Sequence, residues 1–213
     1  MIRLLFIVIG YLFGMFQTGH FYGKLVNVDL HKCGSGNAGA TNALRVMGLK
    51  GGLIVFFFDC MKAFIPCFTV RMIFRGQPME YVYYVWTAFG VIIGNNYPFY
   101  LKFKGGKGVA ATGGLTMALN GPMTIIGIII FFSLAFITRY VSVASIIIAI
   151  SLSTMAVLFS MPSIGWMPIK TPQRIEFLVV WIFLMALMIW RHKSNIKRLL
   201  NGTENRFGSK KKG

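Results

Sequence analysis

Residues 34–45 read Gly34-Ser35-Gly36-Asn37-Ala38-Gly39-Ala40-Thr41-Asn42-Ala43-Leu44-Arg45. Its glycines let successive backbone N–H groups converge on an anion, because no Cβ restricts the turn or blocks the approach. Ser35, Asn37, Thr41 and Asn42 add neutral donors, and the Arg45 guanidinium can grip a phosphate through two parallel bonds. The segment reads as an anion site, the alternative being a flexible turn between helices. A second segment, Lys102-Phe103-Lys104-Gly105-Gly106-Lys107-Gly108, runs straight into an apolar stretch from Val109. Glycines ahead of a helix N-terminus leave free N–H groups and the positive end of the dipole for a phosphate. It is not a nucleotide-hydrolysing P-loop, since Gly108 stands where Ser or Thr would follow the lysine. Alone it also fits a basic loop that sets topology. Beside the first segment it points to one polyanionic ligand shared by two glycine-rich loops.

Three further patches carry chemistry. Ser142 and Ser145, after Arg139 and Tyr140, share a helix face and serve either the site or helix packing. Arg191-His192-Lys193-Ser194-Asn195-Ile196-Lys197-Arg198-Leu199-Leu200-Asn201-Gly202-Thr203-Glu204 follows the last apolar stretch. Ile196, Leu199 and Leu200 make the apolar stripe of a short interfacial helix, and anionic headgroups account for Arg191, Lys197 and Arg198. Glu204 either orients a cation of the site or balances the tail. Asp59 and Lys62 lie at i,i+3 inside an apolar stretch, where an unpaired charge costs roughly 2.5–3.5 kcal/mol. They read as an ion pair, or Lys62 joins the anion site. Cys33, Cys60 and Cys67 show no CxxC spacing, and His20, His31 and His192 no ligand pattern. Neither a disulfide framework nor a metal or other cofactor is expected.

The elements that must position these groups follow from composition. Of 213 residues 56% are hydrophobic and 13% charged, with 22 Lys and Arg against 5 Asp and Glu. A disordered or nucleic-acid-coating basic protein would be poor in apolar residues, and a soluble domain would carry about a quarter of its residues charged. The class is therefore an all-α integral membrane protein without a nucleic-acid partner. Crossing a bilayer takes about 20 apolar residues. Candidate spans are 4–22, 53–70, 81–94, 109–119, 123–138, 140–161 and 177–190, seven in all, with 109–119 short or broken. Most of the 22 cations then collect on one face, which sets the N-terminus outside and the C-terminus in the cytoplasm. Residues 1–204 form one seven-helix membrane domain and 205–213 a basic cytoplasmic tail.

The patches, in this order and spacing, resemble the bacterial acyl-phosphate-dependent glycerol-3-phosphate acyltransferases of the PlsY type. The resemblance runs from the first loop to Glu204. It is carried by GSGNAGATNALR at 34–45, PFYLKFKGGKGVA at 98–110 and RHKSNIKRLLNGTE at 191–204. Asp59 with Lys62 and the run Arg139-Tyr140-Val141-Ser142 also match family positions. The resemblance implies seven spans with an external N-terminus. It further implies transfer of a fatty acyl group from acyl phosphate to the 1-hydroxyl of sn-glycerol-3-phosphate, giving lysophosphatidic acid and phosphate. This is an early step of phospholipid biosynthesis, placed at the cytoplasmic face of the bacterial inner membrane. Ser35 and Arg45 correspond to residues the family requires, and the loop of Gly105, Gly106 and Gly108 to its glycerol-3-phosphate-binding region. Asn195, Gly202 and Glu204 match its third motif.

Two positions depart from the family pattern. Gly94 is followed by Asn95 where the family usually has His, and Gln17 stands where it usually has Pro near the end of the first span. A general base at position 95 is thus missing, and no His-x4-Asp pair occurs. Acyl phosphate is already activated, so the expected reaction is direct and substrate-assisted, the leaving phosphate taking the hydroxyl proton. Arg45, Lys104 and glycine N–H groups are expected to clamp phosphates, with Ser35, Asn37 and Glu204 as the remaining catalytic candidates. Gly34, Gly36, Asn42, Lys107, Ser142, His192, Asn195 and Gly202 join the phosphate-binding set. Ser35 as a covalent acyl carrier is the competing mechanism. Expected partners are the two substrates, membrane lipids and an acyl-phosphate-producing enzyme. Other classes fit part of the pattern. An organic-anion transporter or channel would use the same basic loops, although the glycine–lysine chemistry sits at one interface and no repeat or paired broken helices are evident. A membrane protein whose loops dock an acidic surface is the other.

Overall fold

The computed structural model describes residues 1–206, so the expected basic tail, with Lys210, Lys211 and Lys212, lies outside the described residues beyond its first two positions. The described residues are helical and contain no strand. In chain order the helices are α1 (Ile2–Gly14), α2 (Thr18–Leu25), α3 (Ala40–Ile73), α4 (Glu80–Asn96), α5 (Val109–Leu119), α6 (Gly121–Thr138), α7 (Val141–Phe159), α8 (Thr171–Arg191) and α9 (Lys193–Leu200), with a 3-10 turn at Phe99–Leu101. Helices suit an apolar sequence in hydrocarbon, because a helix satisfies its backbone groups internally. Five segments are long and apolar enough to cross a membrane, namely Ile2–Leu25, Ala40–Ile73, Gly121–Thr138, Val141–Phe159 and Thr171–Arg191. The 17-residue α4 and the 11-residue α5 pack inside, with Tyr84, Val85, Ala88, Val91 and Leu115 fully buried.

Two expectations about the spans change. Residues 109–119 form one continuous helix, short but unbroken; the broken segment is the first. Gln17 is extended (φ −96°, ψ 92°), separating α1 from α2. Side chains satisfy the backbone groups this break frees. Tyr100 Oη donates to the Met15 carbonyl at 2.7 Å and accepts from the Gln17 N–H at 3.2 Å. Lys62 Nζ donates to the Phe16 carbonyl at 2.7 Å and pairs with Asp59 at 2.8 Å, and Asp59 accepts from Thr18 Oγ1 at 2.9 Å. The second change is at α3, which begins well before the apolar stretch 53–70 and kinks at Gly48 (φ 72°, ψ −171°). Its first part, residues 40–47, is a separate polar helix that carries Asn42 and Arg45.

Small residues let α1 and α4 cross in close contact. A Cβ on Gly14 would lie 2.0 Å from the Val91 carbonyl oxygen, and one on Gly90 2.1 Å from that of Ile7. The core then spreads through α3, α4, α5, α7 and α8 around Tyr84, Leu115, Trp181 and Leu184. α6 is peripheral: Ile125, Ile128, Ile129, Phe132 and Phe136 point outward, as a lipid-facing helix requires. At the end opposite the glycine loops, Arg3 grips Glu176 (Nη2 to Oε2 2.8 Å) and Arg71 grips Glu80 at 2.7 Å, joining α1 to α8 and α3 to α4.

Candidate active site

The helices α3, α5 and α7 all begin at one cavity of about 360 Å³, whose lining includes Ala40, Val109 and Val141. None of the three has a side-chain N-cap bond. The positive ends of their dipoles and the N–H groups of their first two residues, which no side chain caps, thus lie at the cavity. That is the electrostatic arrangement an oxyanion needs.

Around this floor the polar side chains form two connected sets. In the first, Asn42 is nearly fully buried, and its Oδ1 accepts from the Ser35 N–H at 2.8 Å and from Arg45 Nη1 at 3.4 Å. Its Nδ2 donates to the carbonyls of Leu30 and Cys33 at 3.1 and 3.0 Å. Asn42 therefore holds the glycine loop in shape, and Ser35, Asn37, Thr41 and Arg45 line the cavity. Gly34 permits the approach: it has φ +62°, and a Cβ there would meet Asn42 Oδ1 at 2.2 Å. In the second set, Glu204 accepts from Ser142 Oγ at 3.1 Å, Asn195 Nδ2 at 2.7 Å and Arg198 Nε at 2.7 Å. Asn195 Oδ1 accepts in turn from Lys107 Nζ. Gly202 (φ +68°) turns the chain out of α9, with the Thr203 N–H bonded to the Arg198 carbonyl at 2.8 Å, and so returns Glu204 to the cavity.

Charge in the cavity is positive and largely uncompensated. All five carboxylates of the chain are engaged in ion pairs, and among the described residues none reaches Arg45 or Lys107. Burial pushes the Lys107 ammonium down to about 8, helped by Arg198, Arg191 and Arg45 and opposed by Glu204. Burial likewise holds His192 down at about 4. His192 Nδ1 lies 2.8 Å from the Met188 carbonyl, which can only accept, so Nδ1 carries the proton and Nε2 a lone pair. The remaining wall is apolar, built by Leu44, Leu49, Leu53 and Phe56 of α3 and by Phe131, Phe132 and Phe136 of α6. Phe56, Phe132 and Phe136 are also exposed on the outside of the bundle, so this wall continues onto the lipid-facing surface.

Of the residues expected from sequence, Ser35, Asn37, Asn42, Arg45, Lys107, Ser142, His192, Asn195 and Glu204 meet at this cavity. Gly34, Gly36, Gly106, Gly108 and Gly202 shape the segments that bring them there. Lys104 does not join them. It is exposed, and with Gly105 it lines a separate, larger cavity beside His20, Lys24 and Arg191. Asp59 and Lys62 lie away from both cavities and tie α3 to the break between α1 and α2. Arg198, read from sequence as a headgroup contact, lines the site, and its spacing of three residues from Asn195 on one helix was the available signal.

A family model described as glycerol-3-phosphate acyltransferase matches residues 4–202. The chain belongs to the glycerol-3-phosphate acyltransferase family. Its relatives include the glycerol-3-phosphate acyltransferases of Macrococcus caseolyticus, 40% identical over 97% of this chain and 98% of that one, and of Aquifex aeolicus, 36% identical over 96% and 100%. A crystal structure of PlsY, an integral membrane glycerol 3-phosphate acyltransferase, in its glycerol 3-phosphate form superposes with a TM-score of 0.83 at 36% identity, covering 97% of this chain and 96% of that one. The lysophosphatidic acid form gives 0.81 at 35% identity, over 97% and 95%. In this acyltransferase Asn95, one of the two departures noted from the resemblance, is buried and does not line the 360 Å³ cavity. Its carbonyl accepts from the Gly106 N–H at 2.9 Å, making position 95 a support beneath the glycine loop.

Proposed function

We propose that this acyltransferase moves a fatty acyl group from acyl phosphate to the 1-hydroxyl of sn-glycerol-3-phosphate in the cavity at the N-termini of α3, α5 and α7. One observation carries the assignment. Three uncapped helix N-termini and two cations without carboxylate partners converge on the polar end of a cavity whose other wall is apolar and open to lipid. That supply of positive potential suits two phosphates, one on each substrate, while the apolar wall suits the acyl chain. An acyl thioester would bring no phosphate to the reacting carbon. The solved relative described in glycerol 3-phosphate and lysophosphatidic acid forms agrees with the acceptor and product.

In this reading the 1-hydroxyl oxygen attacks the acyl carbonyl carbon and forms the ester bond. The acyl carbon–phosphate oxygen bond breaks, its electron pair stays on the departing phosphate, and that phosphate takes the hydroxyl proton. Arg45, Lys107 and the helix N–H groups hold the phosphates and stabilise the developing charge. Ser35 and Asn37 orient the reacting groups. Glu204, filled by three donors, fixes Ser142, Asn195 and Arg198 rather than acting as a base. His192 is neutral near pH 7 and offers Nε2 as an acceptor for a hydroxyl.

The proposed setting is a single seven-crossing domain over residues 1–204 in the bacterial inner membrane, N-terminus outside, with the cavity facing the cytoplasm. Two patterns support it. α3, α5 and α7 start and α8 ends beside the cavity, as alternating crossings demand, and most Lys and Arg gather at that end. An acyl-phosphate-producing enzyme acting at the same face would supply the donor. The test is purified protein given glycerol-3-phosphate with either palmitoyl phosphate or palmitoyl-coenzyme A. Equal amounts of lysophosphatidic acid and phosphate are expected from the first and none from the second; comparable turnover of the thioester would refute the donor assignment. A labelled acyl-enzyme trapped without acceptor, and lost in Ser35→Ala, would replace direct transfer by the covalent route.

A further inference from the structure

Behind the Gly105–Gly106 segment lies the second cavity, about 780 Å³, with Lys24, His20, His31, Lys104 and Arg191 on its walls and Asp29 as its one carboxylate. Asp29 is already engaged, accepting from the His31 N–H at 3.0 Å and pairing with Lys32 at 3.8 Å. Among the described residues Lys24 and Lys104 take part in no ion pair. Arg191 is held in place, donating to the carbonyls of Gly105 (3.0 Å) and Gly106 (2.9 Å) and stacking over Tyr97 at 5.0 Å. His31 adds a second kind of observation. Its Nε2 is buried and has no hydrogen-bond partner, an arrangement that native structures avoid unless a ligand or water completes it. The two cavities stand back to back: Ser35 and His192 face the reaction cavity, while their chain neighbours Gly36 and Arg191 face this one.

We infer that this second cavity is a binding site for a phosphate-bearing anion, held by Lys24 and Lys104 beside His31 and separate from the reaction cavity. Three cationic side chains and two imidazoles around one compensated carboxylate give a net positive chamber. Its apolar side chains, Val28, Leu30, Leu101 and Phe103, sit among these charges, whereas the apolar wall of the other cavity is built from seven Leu and Phe side chains of α3 and α6. The phosphate belongs either to a soluble phosphate or to a phospholipid headgroup. On the soluble route, the site holds a phosphate monoester awaiting transfer or a phosphate just released next door.

The experiment reads binding without turnover, so its failure is distinguishable from failure of the reaction proposed above. Labelled inorganic phosphate is titrated by equilibrium dialysis against the full chain in maltoside micelles, which contain no phosphate. Two saturable classes are expected. Arg45→Met/Lys107→Met should lose one, and Lys24→Met/Lys104→Met the other, weakened by at least about tenfold, as expected when charge-assisted contacts are removed. His31→Gln should weaken the same class as the lysine pair. Lys24 and Lys104 are exposed, so that variant should keep the wild-type melting temperature. Repeating the titration in phosphatidylglycerol nanodiscs identifies the source, because loss of the lysine-dependent class there assigns it to a lipid headgroup and retention to free phosphate. The inference is overturned if the Arg45/Lys107 variant binds no phosphate, if the Lys24/Lys104 isotherm superposes on wild type, or if wild type binds none.

Discussion

Gln17 Nε2 donates a hydrogen bond to the main-chain carbonyl of Asn95 at 2.9 Å, so the two positions where the chain departs from its family pattern are in direct contact. The same carbonyl receives the Gly106 N–H. One oxygen thereby joins the break between α1 and α2, the end of α4 and the second glycine loop. Gln17→Ala leaves part of this buried oxygen unsatisfied and should cost about 1–3 kcal/mol of stability, measured as a lowered melting temperature with a parallel loss of turnover. Asn95→His should destabilise the support without raising activity. A gain in kcat from that substitution would mean that position 95 reaches the substrate.

The two lysines of the second loop should separate sharply. Lys107→Met removes a half-buried cation from the proposed reaction cavity and should lower kcat/KM by about 100- to 1000-fold, the range seen when an oxyanion-stabilising group is removed. Lys104→Met removes an exposed cation of the other cavity and should lower it by less than about tenfold. Steady-state kinetics on both variants checks the order, and equal losses would place Lys104 at the reaction centre.

The pH profile carries the signature of Lys107. Its ammonium is depressed to about 8 in the free enzyme, so it is charged below that value and loses its charge as pH rises through it. kcat/KM should accordingly fall above about pH 8. A bound phosphate stabilises the ammonium, so the limb in kcat should lie at higher pH. Lys107→Arg should abolish the alkaline limb, since guanidinium stays protonated; a limb that persists in that variant would exclude Lys107 as its origin.

Asp59 and Lys62 act on the fold in this account. Removing either partner alone should destabilise by about 3–5 kcal/mol, because the other charge is left buried. The double variant Asp59→Asn/Lys62→Met should recover part of that loss and keep a near-wild-type KM for glycerol-3-phosphate. A large rise in KM with unchanged stability would instead make Lys62 a substrate ligand.

Much of the candidate cavity's lining could be read from residue types, because glycine, asparagine and arginine at short spacing suit an anion. The geometry inside the second loop could not. Lys102 and Phe103 adopt left-handed φ angles of 53° and 59°, turning the chain so that lysines three residues apart face different cavities. The limits of the first span were also hidden: Met15-Phe16-Gln17 contains neither Gly nor Pro, and the partners that stabilise its break, Lys62 and Tyr100, are distant in sequence. Hydrophobicity located the membrane part of α3 but not its start, since residues 40–50 are too polar to register and Gly48 kinks between the two parts. Arg198 was masked by the general abundance of cations after the last span.

The turn at Gly202 has a consequence for how the protein is made. Glu204, which gathers Ser142, Asn195 and Arg198, emerges from synthesis after all the helices of the described residues. A nascent chain can insert all its spans while its polar network is still unassembled, and the chamber is completed only when the residues beyond α9 fold back. The polar network around the cavity is thus the last part of the nine described helices' arrangement to assemble.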